Sequence, residues 1–483
     1  MNSIKKHITT PIPIAPLVTF RVLFGFIMLI SIIRFLAKGW VTQLYVEPTY
    51  YFSFIQADWF TPLSSTGMHF LFVLMGLSAL GIMLGSFYKL SVFLFFVSFT
   101  YVELLDKSNY LNHYYFVSII SFLLLFVPAN RAFSLDAIRK PFIKLDKIPA
   151  WCINIFKLQL IIVYFYAGAA KLNTDWLIHA MPLKIWLPAH ADFPIIGNLL
   201  TKEWVAYAFS WSGAAYDLFV PFLLLFSRTR VIAYMAVIAF HLLTRMLFPI
   251  GMFPYIMILS TLIFFSPQWH EGILRKLKDL PGFNKALKDL LGFKNLAGLE
   301  KTYHPRYKNV LAVGITLFFV LQLLLPWRYT LYDGNLFWTE QGYRFSWRVM
   351  LMEKAGHATF YIKNPETNKE AQIDIKQYLA PHQEKQMAFQ PDMLLQFAHF
   401  LDKEYQKQGI IDPEIRVESY VTLNGSKSKL IIDPTIDLSE QSINLKPKNG
   451  SCHLPIIENE ETIHHTINCD AFVDHSNGTN YFR

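Results

Sequence analysis

LIIVYFYAGAAKLNTDW, residues 160 to 176, carries one ammonium group, Lys171, to the end of an otherwise apolar helix of membrane length. An ionisable side chain in that position marks a functional site, against the plainer reading of a lysine that snorkels to the headgroups from a helix end. The segment alone leaves both readings open, but it sets the class of fold, and the rest of the chain agrees with it. Of 483 residues, 53% are hydrophobic and 16% aromatic, and the mean hydropathy is +0.31. That is more apolar surface than a water-soluble core requires.

Eight further stretches are long enough, some only just, to cross about 30 Å of hydrocarbon. The nine lie near 16 to 37, 68 to 86, 89 to 106, 112 to 128, 150 to 172, 204 to 227, 230 to 248, 252 to 267 and 309 to 326. The eighth is short enough to be re-entrant instead. The net charge of +9 does not imply nucleic acid, because the basic residues sit in loops between apolar runs. Lys5 and Lys6, the group Arg131, Arg139, Lys140, Lys144 and Lys147, the pair Arg228 and Arg230, and nine Lys or Arg between 268 and 308 fall on alternate loops. By the positive-inside rule, this alternation predicts a cytoplasmic N-terminus and an extracytoplasmic C-terminal part. The first apolar stretch lacks a small-residue cleavage site, so it is expected to remain as a span.

The expected fold is therefore an α-helical polytopic membrane bundle of about nine transmembrane helices with a C-terminal β-rich extracytoplasmic domain. Residues 1–326 form the membrane domain, 327–450 the β-rich domain and 451–483 a polar tail. ATFYIK (358 to 363), IRVESYVTL (415 to 423) and KLIIDP (429 to 434) read as strands, and Met387 to Gln406 as a helix between them. Segment 177 to 203, interrupted by Pro182, Pro188 and Pro194, is predicted to lie along the interface and to roof the space near Lys171.

Cys452 and Cys469 lie in the tail, where an oxidising compartment would permit a disulfide. His453, His464, His465 and His475 match no metal-binding spacing, so a solvated tail is the reading and no metal is expected. A P-loop, a dinucleotide fingerprint, an HExxH and a nucleophile elbow are all absent from the sequence. The topology puts His113, at the start of the fourth span, and Lys171, at the end of the fifth, at similar depth near the outer leaflet, where the two could meet. Asp217 and His241 lie inside the sixth and seventh spans, as members of a polar cavity or as helix–helix hydrogen bonds.

Five blocks in order, LLDKSNYLNHYYF (104 to 116), VYFYAGAAKLNTDW (163 to 176), FH (240 to 241) with IGMFPY (250 to 255), FFSPQW (264 to 269) and IIDPTIDL (431 to 438), resemble the vitamin K-dependent γ-glutamyl carboxylase family. The resemblance covers roughly residues 15 to 440. It implies a membrane enzyme whose co-substrates are a reduced vitamin K (phylloquinol or menaquinol), O2 and CO2. In that reaction, oxygenation of the quinol on the way to its epoxide generates a base strong enough to remove a γ-proton from glutamate, and the carbanion captures CO2. No protein side chain could take that proton unaided, because each unit of pKa mismatch costs about 1.36 kcal/mol. The protein need only deprotonate the quinol, enclose it and exclude water.

The family's base lysine precedes a leucine, as Lys171 precedes Leu172, and enclosure in an apolar pocket favours the uncharged amine that such a base requires. His113 matches a histidine that follows an asparagine, and its implied role is a hydrogen bond to an oxygen of the quinol-derived species. Asn112, Tyr164, Asp217 and His241 are the further candidates for substrate binding. The implied partners are the lipid bilayer, the quinone and a glutamate-containing protein or peptide, with no nucleic acid. The missing animal extension implies a bacterial or otherwise non-animal source, and the expected location is a bacterial inner membrane.

The chain departs from the animal pattern at Ala170, where a lysine pair is usual, at QFAHFL (396 to 401), which has no cysteine, and after Trp347, where RVMLMEKAGH is poorer in histidine. These departures bear on glutamyl recognition more than on quinol chemistry. A quinol epoxidase without carboxylation therefore remains an alternative. So does a non-catalytic quinone-binding, lipid-binding or transport protein, although the halves show none of the repeats common in transporters.

Overall fold

The computed structural model describes residues 8–57, 59–278, 303–441, 454–457 and 462–465. Lys5, Lys6, much of the basic loop between 268 and 308, Cys452, Cys469, His453 and His475 lie outside the described residues. Among the described residues, the ten longest helices of the first part of the chain are α1 (Ala15–Ala37), α2 (Ser65–Leu84), α3 (Tyr88–Leu105), α4 (Asn112–Leu124), α5 (Trp151–Ala170), α6 (Glu203–Leu225), α7 (Arg230–Leu247), α8 (Phe253–Thr261), α9 (Pro267–Lys278) and α10 (Lys308–Leu324). Among the described residues, seven of the nine expected spans are long and apolar enough to cross a membrane, α10 with its 3-10 extension to Leu331 included.

Two expected spans are shorter than expected. The stretch 112 to 128 is helical for only 13 residues in α4, which reach about 20 Å at 1.5 Å per residue. Pro128 has no N–H to offer the Leu124 carbonyl, which accepts from the Tyr88 hydroxyl at 2.7 Å instead. In the eighth stretch, α8 starts only after Gly251, whose φ of +61° a side chain would strain, and it ends in a 3-10 turn at Phe264. Both short helices lie near the candidate site, where full-length spans would leave less room for loops.

Helix α1 is central and packs on α2, α5, α8 and α9, while α5 runs against α6. Helix α10 turns most of its surface outward and is held by polar contacts. Gln322 Nε2 donates to the Tyr115 hydroxyl at 2.7 Å, Tyr166 donates to the Leu323 carbonyl at 2.7 Å, and Trp327 Nε1 donates to the Tyr166 hydroxyl at 3.0 Å. A short pair, β1 (Pro11–Pro13) with β2 (Lys147–Pro149), ties the chain start to the entry of α5.

The C-terminal part is an antiparallel sheet of β3 (Lys354–Asn364), β4 (Lys369–Gln372), β5 (Glu414–Leu423) and β6 (Lys429–Leu430) in the order β4-β3-β5-β6. On β5, Ile415, Val417, Ser419, Val421 and Leu423 are buried at every second position, as a half-buried strand requires. Helix α11 (Pro391–Lys407) packs on β5 through Leu394, Phe397, Ala398 and Leu401. It starts later than the expected Met387, because Pro391 occupies its first turn and a separate short helix, Pro381–Met387, precedes it. Within the segment read as a tail, β7 (Leu454–Ile457) pairs with β8 (Thr462–His465).

Two loops of the helical part seat the sheet domain. Phe52, fully buried, enters its core, with its ring centroid 6.2 Å from that of Phe397. Asp392 accepts from Lys107 at 3.1 Å and from Arg344 at 2.9 Å. Burial alone would raise the Asp392 carboxyl, but the two cations beside it hold it well below the usual carboxylate range.

Candidate active site

The small-residue run Ala167-Gly168-Ala169-Ala170 closes α5, and at Gly168 it lets α6 come very near. A Cβ there would lie 2.7 Å from the Leu218 nitrogen and 3.0 Å from the Asp217 carbonyl carbon. Close backbone approach through small residues is the general solution for helix contacts in lipid. It puts Lys171, the residue that caps α5, opposite Asp217: Nζ donates to Oδ2 at 2.7 Å and to the Ala167 carbonyl at 3.2 Å. Both residues are 5% exposed. The Gly168→Val variant is expected to force the helices apart, at about 1–3 kcal/mol for overpacking, and to lower the thermal midpoint of the purified protein.

Trp176 covers the pair, with its ring centroid 5.3 Å from Nζ. Its indole donates to the Ser210 carbonyl at 2.8 Å, the Ser210 hydroxyl donates back to the Trp176 carbonyl, and Asn173 caps the short helix Thr174–Leu177 that carries it. Lys171, Asp217, Tyr164, His241 and Asn112 all line one chamber of about 100 Å³, roofed by Trp176, Leu183 and Trp186. Segment 177 to 203 thus supplies part of the roof.

In His241, Nδ1 faces the Val237 carbonyl at 3.0 Å and the Tyr216 hydroxyl at 3.3 Å. A carbonyl only accepts, so the neutral ring carries its proton on Nδ1 and keeps Nε2 as acceptor. The Tyr164 hydroxyl lies 3.4 Å from that of Thr261. Asn112 is already committed: its amide donates to the Arg348 carbonyl at 2.7 Å and its oxygen accepts from Tyr110 at 3.2 Å. Asp217 is likewise committed to Lys171, so these two hold the site together and do not stand free for a substrate.

The expected meeting of Lys171 with His113 is not what the structure shows. His113 lines a second, larger space, a cleft of about 920 Å³ between the helical part and the sheet domain. Asn112, Trp186, Phe248, Ile250, Phe253, Val349 and Met350 line both spaces and so form the partition between them. Phe253 stands in the middle, its ring 5.8 Å from that of His113 and 5.7 Å from that of His241. Among the described residues, the ring nitrogens of His113 have no hydrogen-bond partner. The partition's outer half comes from a loop in which Phe345, Trp347 and Met350 all hold positive φ, a conformation costing about 1–3 kcal/mol each and concentrated at functional sites.

Six basic side chains, Arg34, Lys107, Arg344, Arg348, Lys354 and Lys385, line the cleft against two acidic ones, Glu340 and Glu353. Lys354 is paired with Glu340 at 3.0 Å, and Arg344 and Lys107 with Asp392. Arg34, Arg348 and Lys385 have no carboxylate partner among the described residues. Sequence reading missed this cleft, since its cations are scattered over some 350 positions. It also missed Phe253, although IGMFPY was one of the blocks that carried the resemblance.

The helical part, residues 9–269, matches the family model for the HTTM domain, and residues 307–454 match the model for the vitamin K-dependent gamma-carboxylase lumenal domain. The chain belongs to the vitamin K-dependent γ-carboxylase family. No solved structure matches it. As a carboxylase-like protein it is a multi-pass membrane protein, and the boundary between the two matches falls in the basic loop before α10. Among the described residues, no three His, Cys, Asp or Glu side chains gather as they would around a metal ion.

Proposed function

We propose that the protein is a γ-glutamyl carboxylase that couples O2-dependent epoxidation of a reduced naphthoquinone to carboxylation of glutamate side chains with CO2. One observation carries this reading: a buried lysine in an apolar chamber shares a wall with a cleft in which Arg34, Arg348 and Lys385 have no carboxylate partner among the described residues. The chamber suits a quinol ring chemically, with aromatic walls from Trp176, Phe209, Phe240 and Phe253 and polar groups at Lys171, His241 and Tyr164. Its volume falls below the usual ~300–1,000 Å³ of a ligand site. A bicyclic ring therefore fits only when the side-chain partition yields toward the cleft.

The quinol, when oxygenated, supplies the strong base that the protein lacks. Lys171, held by Asp217 and the Ala167 carbonyl, takes the proton of a quinol hydroxyl through Nζ as the free amine, its own proton having passed across the 2.7 Å hydrogen bond to Asp217 Oδ2. His113, unpartnered on the other side of Phe253, hydrogen-bonds an oxygen of the ring system from the cleft side. The apolar roof and partition exclude water, which would otherwise quench the base. Arg34, Arg348 and Lys385 offer the positive field that an acidic peptide needs. We place the N-terminus in the cytoplasm and the sheet domain outside, since Arg131, Arg139, Lys140, Lys144 and Lys147 lie on the loop between α4 and α5.

Purified protein given reduced vitamin K and O2 is expected to form the epoxide and, with labelled CO2 and a glutamate peptide, to incorporate label. Epoxide without label would leave the epoxidase alternative, and neither product would remove the enzymatic reading.

A further inference from the structure

The roof over Lys171 belongs to the helical part, yet two of its polar ties run to the sheet domain. Asn424, in the turn between β5 and β6, donates from Nδ2 to Asp175 Oδ2 at 2.8 Å, and Asp175 immediately precedes Trp176. Glu353, just before β3, accepts from the indole of Trp186, the second roof tryptophan. Asn424 and Glu353 are themselves locked together: the Asn424 backbone N–H donates to the Glu353 backbone carbonyl at 2.8 Å, and the Glu353 backbone N–H donates to Asn424 Oδ1 at 2.9 Å. One two-residue clamp thus holds Trp186 directly and Trp176 through its neighbour Asp175, both tryptophans lining the lysine chamber. Glu353 also lines the cleft, so the clamp touches both spaces.

We propose that Asn424 and Asp175 are positioning residues through which the sheet domain holds the roof of the lysine chamber closed. Their role in turnover rests on the carboxylase reading above, whereas the closure itself is a property of the fold. The turn is a suitable latch because Asn424 holds a φ of +51°, which asparagine tolerates better than most residues. Its side chain also spans the domain boundary with both polar atoms used. A ligand filling the cleft would press on Glu353 and so act on the roof without touching Lys171.

The test exchanges the two ends of the tie. In Asn424→Asp, the new carboxylate can still accept from the Glu353 amide but opposes that of Asp175, so only the inter-domain tie is lost. Adding Asp175→Asn restores a donor–acceptor pair with the direction reversed. Hydrogen–deuterium exchange of residues 174–187 is expected to quicken by about two- to tenfold in Asn424→Asp, the factor for one hydrogen bond of ordinary net strength. It should return toward the wild-type rate in the double variant, and the KM for quinol should rise and recover in step.

Exchange unchanged in Asn424→Asp, or a double variant no slower than the single, overturns the proposal. If Asn424→Asp does not fold, Trp186→Phe cuts the other tie while keeping a ring. Quicker exchange there supports the clamp, and unchanged exchange refutes it. Lys171→Ala separates the two readings. Epoxide formation at the wild-type rate in that variant removes Lys171 as the base, and wild-type protein that forms no epoxide removes the carboxylase reading; in either case the exchange result stands on its own.

Discussion

Lys171→Ala is expected to lower the rate of epoxide formation by about 10²- to 10⁴-fold, the range contributed by a positioned general base. Alanine also strands Asp217 in a buried site, so loss of activity alone would not separate chemistry from folding. Lys171→Arg makes the separation. Arginine keeps the cation opposite Asp217 and can pair with it, but its guanidinium is not deprotonated in proteins and cannot serve as a base. The expected outcome is a folded protein, judged by elution and thermal midpoint, with epoxide formation as low as in the alanine variant. An arginine variant that is folded and active would show that Lys171 acts by charge alone, and the proton acceptor would have to be sought elsewhere, His241 Nε2 being the next group in the same chamber.

What could be read from the sequence follows from which forces act locally. Apolar runs gave the helices, and alternating apolar residues gave β3 and β5, because both patterns are written in adjacent residues. Where the chain stops a helix was harder to see. Pro128 cuts α4 to 13 residues and Pro391 moves the start of α11, and in each case hydropathy outweighed a single backbone-specific residue in the reading.

The site was visible only in part. Lys171 stood out as a charge at the end of an apolar helix, but its partner Asp217 is 46 residues away and pairs with it because Gly168 has no side chain. Nothing in the order of residues shows that Phe253 separates His113 from His241, since that depends on where α8 begins after Gly251. The clamp on the roof is more remote still, with Asn424 reaching Asp175 across 249 positions. The proposed site lies against the junction of two domains, and a junction has no local signature.

The Lys171–Asp217 pair should also dominate stability at the α5–α6 crossing, in a direction that depends on how it is broken. Asp217→Ala leaves an ammonium in a nearly dry chamber with only the Ala167 carbonyl to receive it, and removal of one partner of a buried pair costs about 3–5 kcal/mol. Replacing both members with apolar side chains, Lys171→Met with Asp217→Leu, removes the unpaired charge together with the pair. Such replacements are neutral or stabilise by about 1–4 kcal/mol in known cases. Thermal unfolding in detergent is therefore expected to show a lowered midpoint for Asp217→Ala and a midpoint at or above wild type for the double variant, which should form no epoxide. That combination would mean the pair is kept for chemistry at no gain in stability. If the double variant were instead the least stable of the three proteins, the crossing would depend on the ion pair itself, and the close approach at Gly168 could not be what brings α5 and α6 together.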